Sequence, residues 1–263
     1  MAPERVAVDA PTRAPDGRTA AYVAGDRDVL VIDPAAPDSR LESALAGAER
    51  GHVAVTHHHP DHVGGVESLV ESTDPTVWAR RGRESAFARA TGVTPDRTFL
   101  PGDDLPSAED SPPDGIVRVV DTPGHAPEHV AFGTDRWLCS GDLAVAEGSV
   151  VVGGPGADVR AYLTSLRRVH ARNPKRLYPA HGPVIDDVRG TCERLLRHRL
   201  DRERRVLGAV RNGGRSPDEI LDRAYDTDLS GIRDLARATV VAHLRKLAHE
   251  GAVAWDGERA RPA

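Results

Sequence analysis

Four histidines and an aspartate occupy six consecutive positions in the segment VTHHHPDHVGG, which covers residues 55–65 and follows the short apolar run HVAV. In an extended segment after a strand, His57, His59 and Asp61 point to one side, because side chains alternate between the two faces. His62 begins a helix that can turn back toward them. These two groups of ligand atoms with different geometry predict a site for two metal ions.

Two simpler explanations for this cluster are weaker. A purification tag is excluded because the segment is internal and leads into the helix-like run HVGGVESLV. A solvated polar loop is an alternative, and the chain contains twelve histidines, so some clustering is expected by chance. Neither explanation accounts for His and Asp at alternate positions, and the sequence favours the metal site.

Length and composition limit the class of protein. The chain has 263 residues, enough for one large domain or for a domain with a small appendage. Hydrophobic residues make up 39% of it, which allows a core, and no run of about 18 apolar residues predicts a transmembrane helix. No apolar secretory signal is visible at the N-terminus, and two cysteines cannot form a disulfide framework. We therefore expect a cytoplasmic protein without a membrane partner.

Strand and helix signals alternate over the first part of the chain. The runs TAAYVAG, DVLVID and VAVT are β-like, and SRLESALAGA and HVGGVESLV are helical. Further β-like runs, IVRVVDTP, HVAFGTD and RWLCSGD, precede the helical ADVRAYLTSLRRVHAR. The polar, proline-rich residues 101–115 are typical of a surface loop. Strands interrupted by helices predict a layered α/β domain over residues 1–189.

The pattern changes at about residue 190, and residues 190–263 are predicted to form a C-terminal domain. A long amphipathic helix ends at a Gly-Gly pair, a second helix begins with the capping box of Ser216 and Glu219, and a third stops at Gly251. A hairpin about Asp256-Gly257 follows. Three helices and a hairpin resemble a winged helix-turn-helix. The alternative is a helical cap that only packs or mediates dimerisation, since the sequence does not fix the oligomeric state and allows a dimer.

The charge of this C-terminal segment does not decide between these alternatives. Residues 190–263 hold 15 Lys and Arg against 12 Asp and Glu, which permits contact with nucleic acid without requiring it. The basic helix from Arg194 to Arg205 is either a track for phosphates or a solvated helical face, and the second is the more common arrangement.

Three further residues capable of binding a metal each follow a short β-like run. His125 comes after VVDTPG, Asp142 after WLCSG and His181 after RLYPA. Because strand-end loops meet at the edge of a sheet, these side chains can converge on the cluster at residues 57–62.

Together, the segments THHHPDHVGG, DTPGHAPEH, SGDL and PAHGP resemble the metallo-β-lactamase-fold hydrolases over roughly residues 18–187. The resemblance implies a four-layer αββα sandwich with a C-terminal winged-helix-like domain, and a binuclear metal site at the sheet edges. By the same resemblance, the first metal is held by His57, His59 and His125, the second by Asp61, His62 and His181, and Asp142 bridges both.

The chemistry of this residue set agrees with the resemblance. Imidazoles and carboxylates without thiolate suit Zn²⁺, the default for a histidine-rich site, and also Mn²⁺ or Fe²⁺, with two ions per chain. A water between two cations loses a proton near neutral pH, and Asp61 is the candidate catalytic residue that orients it and accepts the proton. Cys139 is expected in the core, His58 is expected to point away from the metals, and His129 is expected to support the site.

The C-terminal segment and the region between Asp142 and His181 resemble the lactamase-beta-like endoribonuclease branch, which implies cleavage of single-stranded RNA. The segment TAAY at residues 19–22 departs from that branch's TNTY-like strand by lacking the asparagine. Stacking platforms for bases are also few, at Tyr22, Trp78, Tyr162 and Trp255. Two alternatives therefore stand: a thioesterase (glyoxalase II-like) or lactonase that acts on a small acyl substrate, and a non-catalytic metal-sensing regulator that binds DNA.

Overall fold

A computed structural model describes residues 2–106 and 117–263. The chain divides into two compact units, and each consists of separate segments. The first unit contains residues 1–121, 128–148 and 172–188, and the second contains residues 122–127, 149–171 and 189–263. The second unit thus combines the C-terminal segment with two stretches from earlier in the chain, whereas the sequence suggests two continuous domains, 1–189 and 190–263.

The first unit contains a mixed sheet whose strands follow the order of the chain. Its strands are β1 (Glu4–Asp9), β2 (Arg18–Ala24), β3 (Asp28–Ile32), β4 (Arg50–Ala54), β5 (Thr76–Arg80) and β6 (Arg97–Phe99). The first three strands pair in antiparallel fashion, and β3 to β6 pair in parallel. The parallel strands β3 and β4 are largely buried and rich in aliphatic side chains, as expected for strands covered on both faces.

A second sheet in the same unit packs against the first. It contains β7 (Asp104–Leu105), β8 (Val117–Asp121), β9 (Val130–Gly133), β10 (Trp137–Gly141) and β11 (Arg176–Pro179), in the order β11-β10-β9-β8-β7. Strand β11 is parallel to β10, and the other pairs are antiparallel. The core between the sheets includes Tyr22 and Ile32 from the first sheet, and Phe132, Cys139 and Tyr178 from the second.

Four helices of the first unit belong to its helical layer: α1 (Ser39–Ala46), α2 (Pro60–Val63), α3 (Val66–Thr73) and α4 (Glu84–Thr91). Their apolar side chains, among them Leu41, Leu69 and Phe87, pack with Val31 and Val53 of the first sheet. The helices therefore cover one face of that sheet, and the second sheet covers the other.

The helix that follows the histidine cluster is shorter than the sequence suggests. A single helix over HVGGVESLV was expected, but α2 ends at Val63 and α3 begins at Val66. The break is at Gly64-Gly65, where the chain passes very close to the loop after β3. A Cβ atom on Gly65 would lie 2.5 Å from the carbonyl oxygen of Ala36, so this contact requires glycine.

The second unit contains helices α5 (Val159–Arg172), α6 (Val188–Arg211), α7 (Pro217–Ala224) and α8 (Arg233–His249), and strands β12 (Val253–Trp255) and β13 (Ala260–Pro262). The last residue of α5 and the first residue of α6 belong to the first unit. The capping box predicted at Ser216 and Glu219 is present at the start of α7. Strands β12 and β13 form the antiparallel hairpin that the sequence predicts. Residues of α6, α7, α8 and the hairpin share one core, which includes Val210, Leu221 and Leu244.

Four strands were not anticipated from the sequence. Strands β1, β5 and β6 were not assigned, and β7 occupies two residues of the segment 101–115 that was expected to be a loop throughout. Most of that predicted loop, residues 107–115, lies outside the described part of the chain. Among the residues described, no helix is both long and apolar enough to span a bilayer.

Candidate metal centre

Six of the seven predicted ligands lie in the first unit, each after the carboxyl end of a strand. His57, His59, Asp61 and His62 follow β4, where the chain stays extended before α2 begins at Pro60. Asp142 comes directly after β10, and His181 comes two residues after β11, which is parallel to β10. Parallel pairing places the ends of β10 and β11 at one edge of their sheet. The segment after β4 comes from the other sheet, and two of its side chains, His62 and Asp61, lie 3.6 Å from Asp142 and His181, respectively.

Four of these side chains surround one point. His62 Nε2 lies 3.6 Å from Asp142 Oδ1 and 4.0 Å from Asp61 Oδ1. His181 Nε2 lies 3.4 Å from Asp142 Oδ1 and 3.6 Å from Asp61 Oδ2. These distances are mostly too long for hydrogen bonds. Two ligand atoms that are each about 2.0–2.1 Å from a tetrahedral Zn²⁺ are about 3.4 Å apart, so this spacing fits a shared cation.

His57 and His59 contribute a second pair of imidazoles. His57 Nε2 lies 3.0 Å from His59 Nδ1, and its Nδ1 lies 3.1 Å from the hydroxyl of Thr56. His57 is fully buried and its ring centroid is 4.0 Å from that of His62, whereas His59 is exposed. Two groups of three side chains each bring one ligand atom per residue within 4.8 Å of one another. One group is His57, His62 and Asp142, and the other is Asp61, His62 and His181. His62 is thus close to both groups.

His62 is oriented by a buried carboxylate that sequence reasoning missed. Asp33, which follows β3, accepts hydrogen bonds from the Thr56 backbone N–H at 2.6 Å and from the Thr56 hydroxyl at 2.8 Å. Its Oδ2 lies 3.0 Å from His62 Nδ1. A proton on Nδ1 leaves Nε2 with the lone pair that a metal needs. The signal in the sequence is a carboxylate at the end of the apolar run DVLVID.

The charges around His62 favour a cation at this position. Burial by itself lowers the pKa of His62, but the carboxylates of Asp33, Asp142 and Asp61, together with the hydrogen bond to Asp33, outweigh it and raise the pKa to about 9. Buried His62 Nε2 makes no hydrogen bond to any described residue. A fully buried nitrogen that faces carboxylates without a hydrogen bond fits a metal ligand.

Neighbouring groups contact the Asp142 backbone and the His181 ring at hydrogen-bonding distance. The backbone N–H of Asp142 donates to Nε2 of His129 at 3.1 Å, so His129 contacts the backbone beside the cluster. His181 Nδ1 lies 3.0 Å from the carbonyl oxygen of Arg18 at the start of β2. The Tyr22 hydroxyl on the same strand donates to the carbonyl oxygen of Pro179 at 2.6 Å. Strand β2 therefore fixes the segment that carries His181.

The remaining residues discussed from the sequence lie elsewhere. His58 faces Glu128 at 3.6 Å and contacts the Phe87 ring edge-on, so it is not among the four side chains around the shared point. Cys139 is buried between the two sheets, where burial raises the pKa of its thiol. His125, the seventh predicted ligand, belongs to the second unit, where its Nδ1 lies 2.7 Å from the carbonyl oxygen of Val151.

Two packed sheets with an imidazole and carboxylate cluster at their edge define a metallo-β-lactamase-fold hydrolase, as the sequence predicted. Residues 13–181 match the metallo-beta-lactamase superfamily, and the chain belongs to that superfamily of hydrolases. This confirms the predicted mixed α/β class and the assignment as an enzyme.

Relatives and solved structures agree with this membership. A beta-lactamase-like protein 2 homolog from Drosophila melanogaster is 30% identical over 239 residues, which cover 88% of this chain and 75% of that protein. An atrochrysone carboxyl ACP thioesterase from Aspergillus novofumigatus is 30% identical over 234 residues, covering 82% of this chain and 67% of that protein. The fold of a beta-lactamase domain protein from Burkholderia ambifaria matches with a TM-score of 0.80 at 21% identity, over 98% of this chain and 91% of that one.

Proposed function

We propose that this chain is a two-metal hydrolase that cleaves an acyl thioester with an activated water. The observation that carries the metal site is the spacing of 3.4–4.0 Å between the imidazole nitrogens and carboxylate oxygens around His62 and His181. The proposed ligands are the predicted ones: His57, His59 and His125 for the first ion, Asp61, His62 and His181 for the second, and Asp142 between them.

The proposed ligand set suits Zn²⁺ best, with Mn²⁺ or Fe²⁺ as alternatives, because all its donor atoms are imidazole nitrogens and carboxylate oxygens. When bound, such ions would lower the pKa of a coordinated water to about 7 and polarise the carbonyl that is attacked. No thiolate is needed for this chemistry, which agrees with the position of Cys139 in the core.

Asp61 is the proposed catalytic residue. Its two carboxylate oxygens face the nitrogens of His62 and His181, and its side chain is 17% exposed, the highest exposure among the four side chains around the shared point, so solvent or substrate can reach it. A carboxylate at this position can orient the attacking water and accept its proton. Loss of a general base typically costs about 10²–10⁴-fold in rate.

Two observations support an acyl thioester as the substrate. A relative that is 30% identical over most of this chain is an atrochrysone carboxyl ACP thioesterase. In addition, Tyr22 and Tyr162, two of the four aromatic residues considered as platforms for bases, are buried, and Trp78 and Trp255 are half-buried. Buried rings cannot stack on single-stranded RNA, so the acyl substrate is the stronger proposal.

Single-stranded RNA is the second candidate substrate, because of one feature of the second unit. The β12–β13 hairpin and Arg215, two residues before α7, line a cleft of about 490 Å³. Its lining includes three arginines, one aspartate and one tryptophan: Arg215, Arg259, Arg261, Asp256 and Trp255. Arginines beside an aromatic ring suit a phosphate backbone with a stacked base. Three helices and a hairpin also follow one another along the chain in the order that the sequence likened to a winged helix.

The deciding experiment compares both substrates with one protein. The metal-loaded enzyme is assayed against a panel of acyl thioesters and lactones and against single-stranded RNA, at low and high salt. We expect thioester turnover that depends weakly on salt. RNA cleavage that falls steeply with salt, without thioester turnover, would instead support the second candidate.

A matched pair of variants shows whether the metal cluster performs the reaction. Asp61→Asn should lose at least about 10²-fold in kcat with the fold retained. His58→Gln changes a neighbouring residue that contacts Glu128 and Phe87, and it should keep nearly normal turnover. Equal rates in wild type and Asp61→Asn would refute the role of Asp61, whichever substrate is cleaved.

A further inference from the structure

Helix α6 of the second unit contains a buried arginine without a carboxylate partner. Arg199 is 2% exposed, and none of its contacts among the described residues is with a carboxylate. Its guanidinium lies over the ring of Tyr162 at 5.4 Å, and its Nε makes no hydrogen bond. Burying a cation without an opposite charge is costly, so packing alone is a poor explanation for this residue.

Arg199 makes a side-chain hydrogen bond with Tyr162, and a second hydrogen bond leads toward a predicted metal ligand. Its Nη2 donates to the carbonyl oxygen of Val150. The carbonyl of the next residue, Val151, lies 2.7 Å from Nδ1 of His125. Because a carbonyl oxygen only accepts, the proton of His125 is on Nδ1, and Nε2 carries the lone pair that binds a metal.

Tyr162, whose ring lies beneath Arg199, also approaches the loop that carries His125, through its backbone. The backbone of Tyr162 approaches Gly124 so closely that a Cβ atom on Gly124 would lie 2.3 Å from the Tyr162 nitrogen, and Gly124 has a φ of +137°. The backbone N–H of Asp158 donates to the carbonyl oxygen of Gly124 at 2.9 Å. Arg199 thus contacts two residues next to the His125 loop. It bonds to Val150, whose neighbour Val151 lies beside His125, and it lies over Tyr162, whose backbone approaches Gly124.

We propose that Arg199 is a positioning residue that fixes the tautomer and orientation of His125, so that helix α6 prepares Nε2 of His125 for metal binding. The inference rests on the proposed function, because it takes His125 as a ligand. It assigns the C-terminal helix a role in metal binding that is independent of nucleic acid.

The test uses the full-length protein, stripped of metal with a chelator and titrated with Co²⁺ while its ligand-field absorption is recorded. Wild type should bind two equivalents. Arg199→Met should weaken one equivalent by about 10–100-fold, as other changes behind a ligating histidine do, and leave the second unchanged. Arg199→Lys retains a donor and should restore part of the affinity, which a loss of packing would not predict.

Arg202→Met is the matched control. Arg202 lies three residues along the same helix, half-buried, with its guanidinium 3.6 Å from the centroid of Tyr225, but it is not bonded to Val150. Its loss removes a comparable contact and should leave both Co²⁺ affinities as in wild type. Equal weakening in Arg202→Met and Arg199→Met, or none in Arg199→Met, would overturn the proposal.

His125→Ala separates this inference from the proposed function. If His125→Ala weakens one equivalent and the Arg199 variants do not, only the role of Arg199 fails. If His125→Ala binds both equivalents as wild type does, the ligand assignment fails and the inference fails with it. Circular dichroism verifies the fold of each variant. If Arg199→Met does not fold, Arg199→Gln replaces it, because the shorter amide side chain does not reach the Val150 carbonyl, and wild-type affinity for both equivalents in Arg199→Gln would refute the proposal.

Discussion

Replacing Asp33 by asparagine should weaken the second metal without removing any of its ligands. In the folded protein the Thr56 backbone N–H donates to Oδ1 of Asp33, so the amide oxygen of an asparagine must take that position. Its NH₂ group then faces His62 Nδ1, which lies 3.0 Å from Oδ2 in the wild type. Two donors would oppose each other, and the His62 proton would have to move to Nε2, the atom that binds the metal.

The expected loss is about 10–100-fold in affinity, which corresponds to about 1.4–2.7 kcal/mol. Metal content and dissociation constants are measured by competition with a chelator. The assay is run at pH 9, because the pKa of His62 is raised to about 9, in part by Asp33. At that pH, protons compete less with the metal for Nε2 of His62.

Asp28→Asn is the control for this prediction. Asp28 is a buried carboxylate at the opposite end of the same strand, paired with Arg50 at 2.7 Å. Its loss should lower the free energy of unfolding without changing metal affinity. Wild-type affinity for both metals in Asp33→Asn, or the same loss in Asp28→Asn, would refute the tautomer argument.

Three further changes test the fold. Gly65→Ala should lower the free energy of unfolding in urea by about 1–3 kcal/mol, because its Cβ would lie 2.5 Å from the Ala36 carbonyl oxygen; Gly47→Ala, with more space, should be nearly neutral. Burial, together with nearby arginine charges, lowers the pKa of His198 to about 4. The unfolded chain takes up this proton as the pH falls below 6.5 and the folded chain does not until about 4, so stability present at pH 7 is lost toward pH 4. His198→Gln should therefore lose less Tm than wild type between pH 7 and pH 5, and an equal loss would contradict the assignment. Ser216→Ala should cost about 1 kcal/mol in urea unfolding by removing the α7 capping box, and an unchanged midpoint would show that the cap contributes nothing.

Local patterns made much of the fold and site predictable. The alternation of His57, His59 and Asp61 and the strand before each later candidate ligand indicated where side chains would converge. Six of the seven candidate ligands lie after strand ends in one unit. A capping box predicted the start of α7, and Gly251 predicted the end of α8, because both signals act within a few residues.

Features that depend on distant contacts were not predictable from one sequence. Strand β1 forms its sheet contacts with β2, and nothing in its own short sequence requires that pairing. Asp33 acts on Thr56 and His62, which lie 23 and 29 residues away along the chain. Arg199 lies in a run of arginines that indicates a solvated helical face, yet it is buried. Pattern rules report local geometry and cannot identify partners that folding brings together.

The central claim of a two-metal hydrolase is tested most directly by the metal content per chain, measured by plasma emission spectroscopy after dialysis against buffered Zn²⁺. We predict two equivalents in wild type and no more than one in Asp142→Ala, with hydrolysis lost on chelation and restored by Zn²⁺. Full hydrolytic activity in protein stripped to well below one metal per chain would contradict the claim.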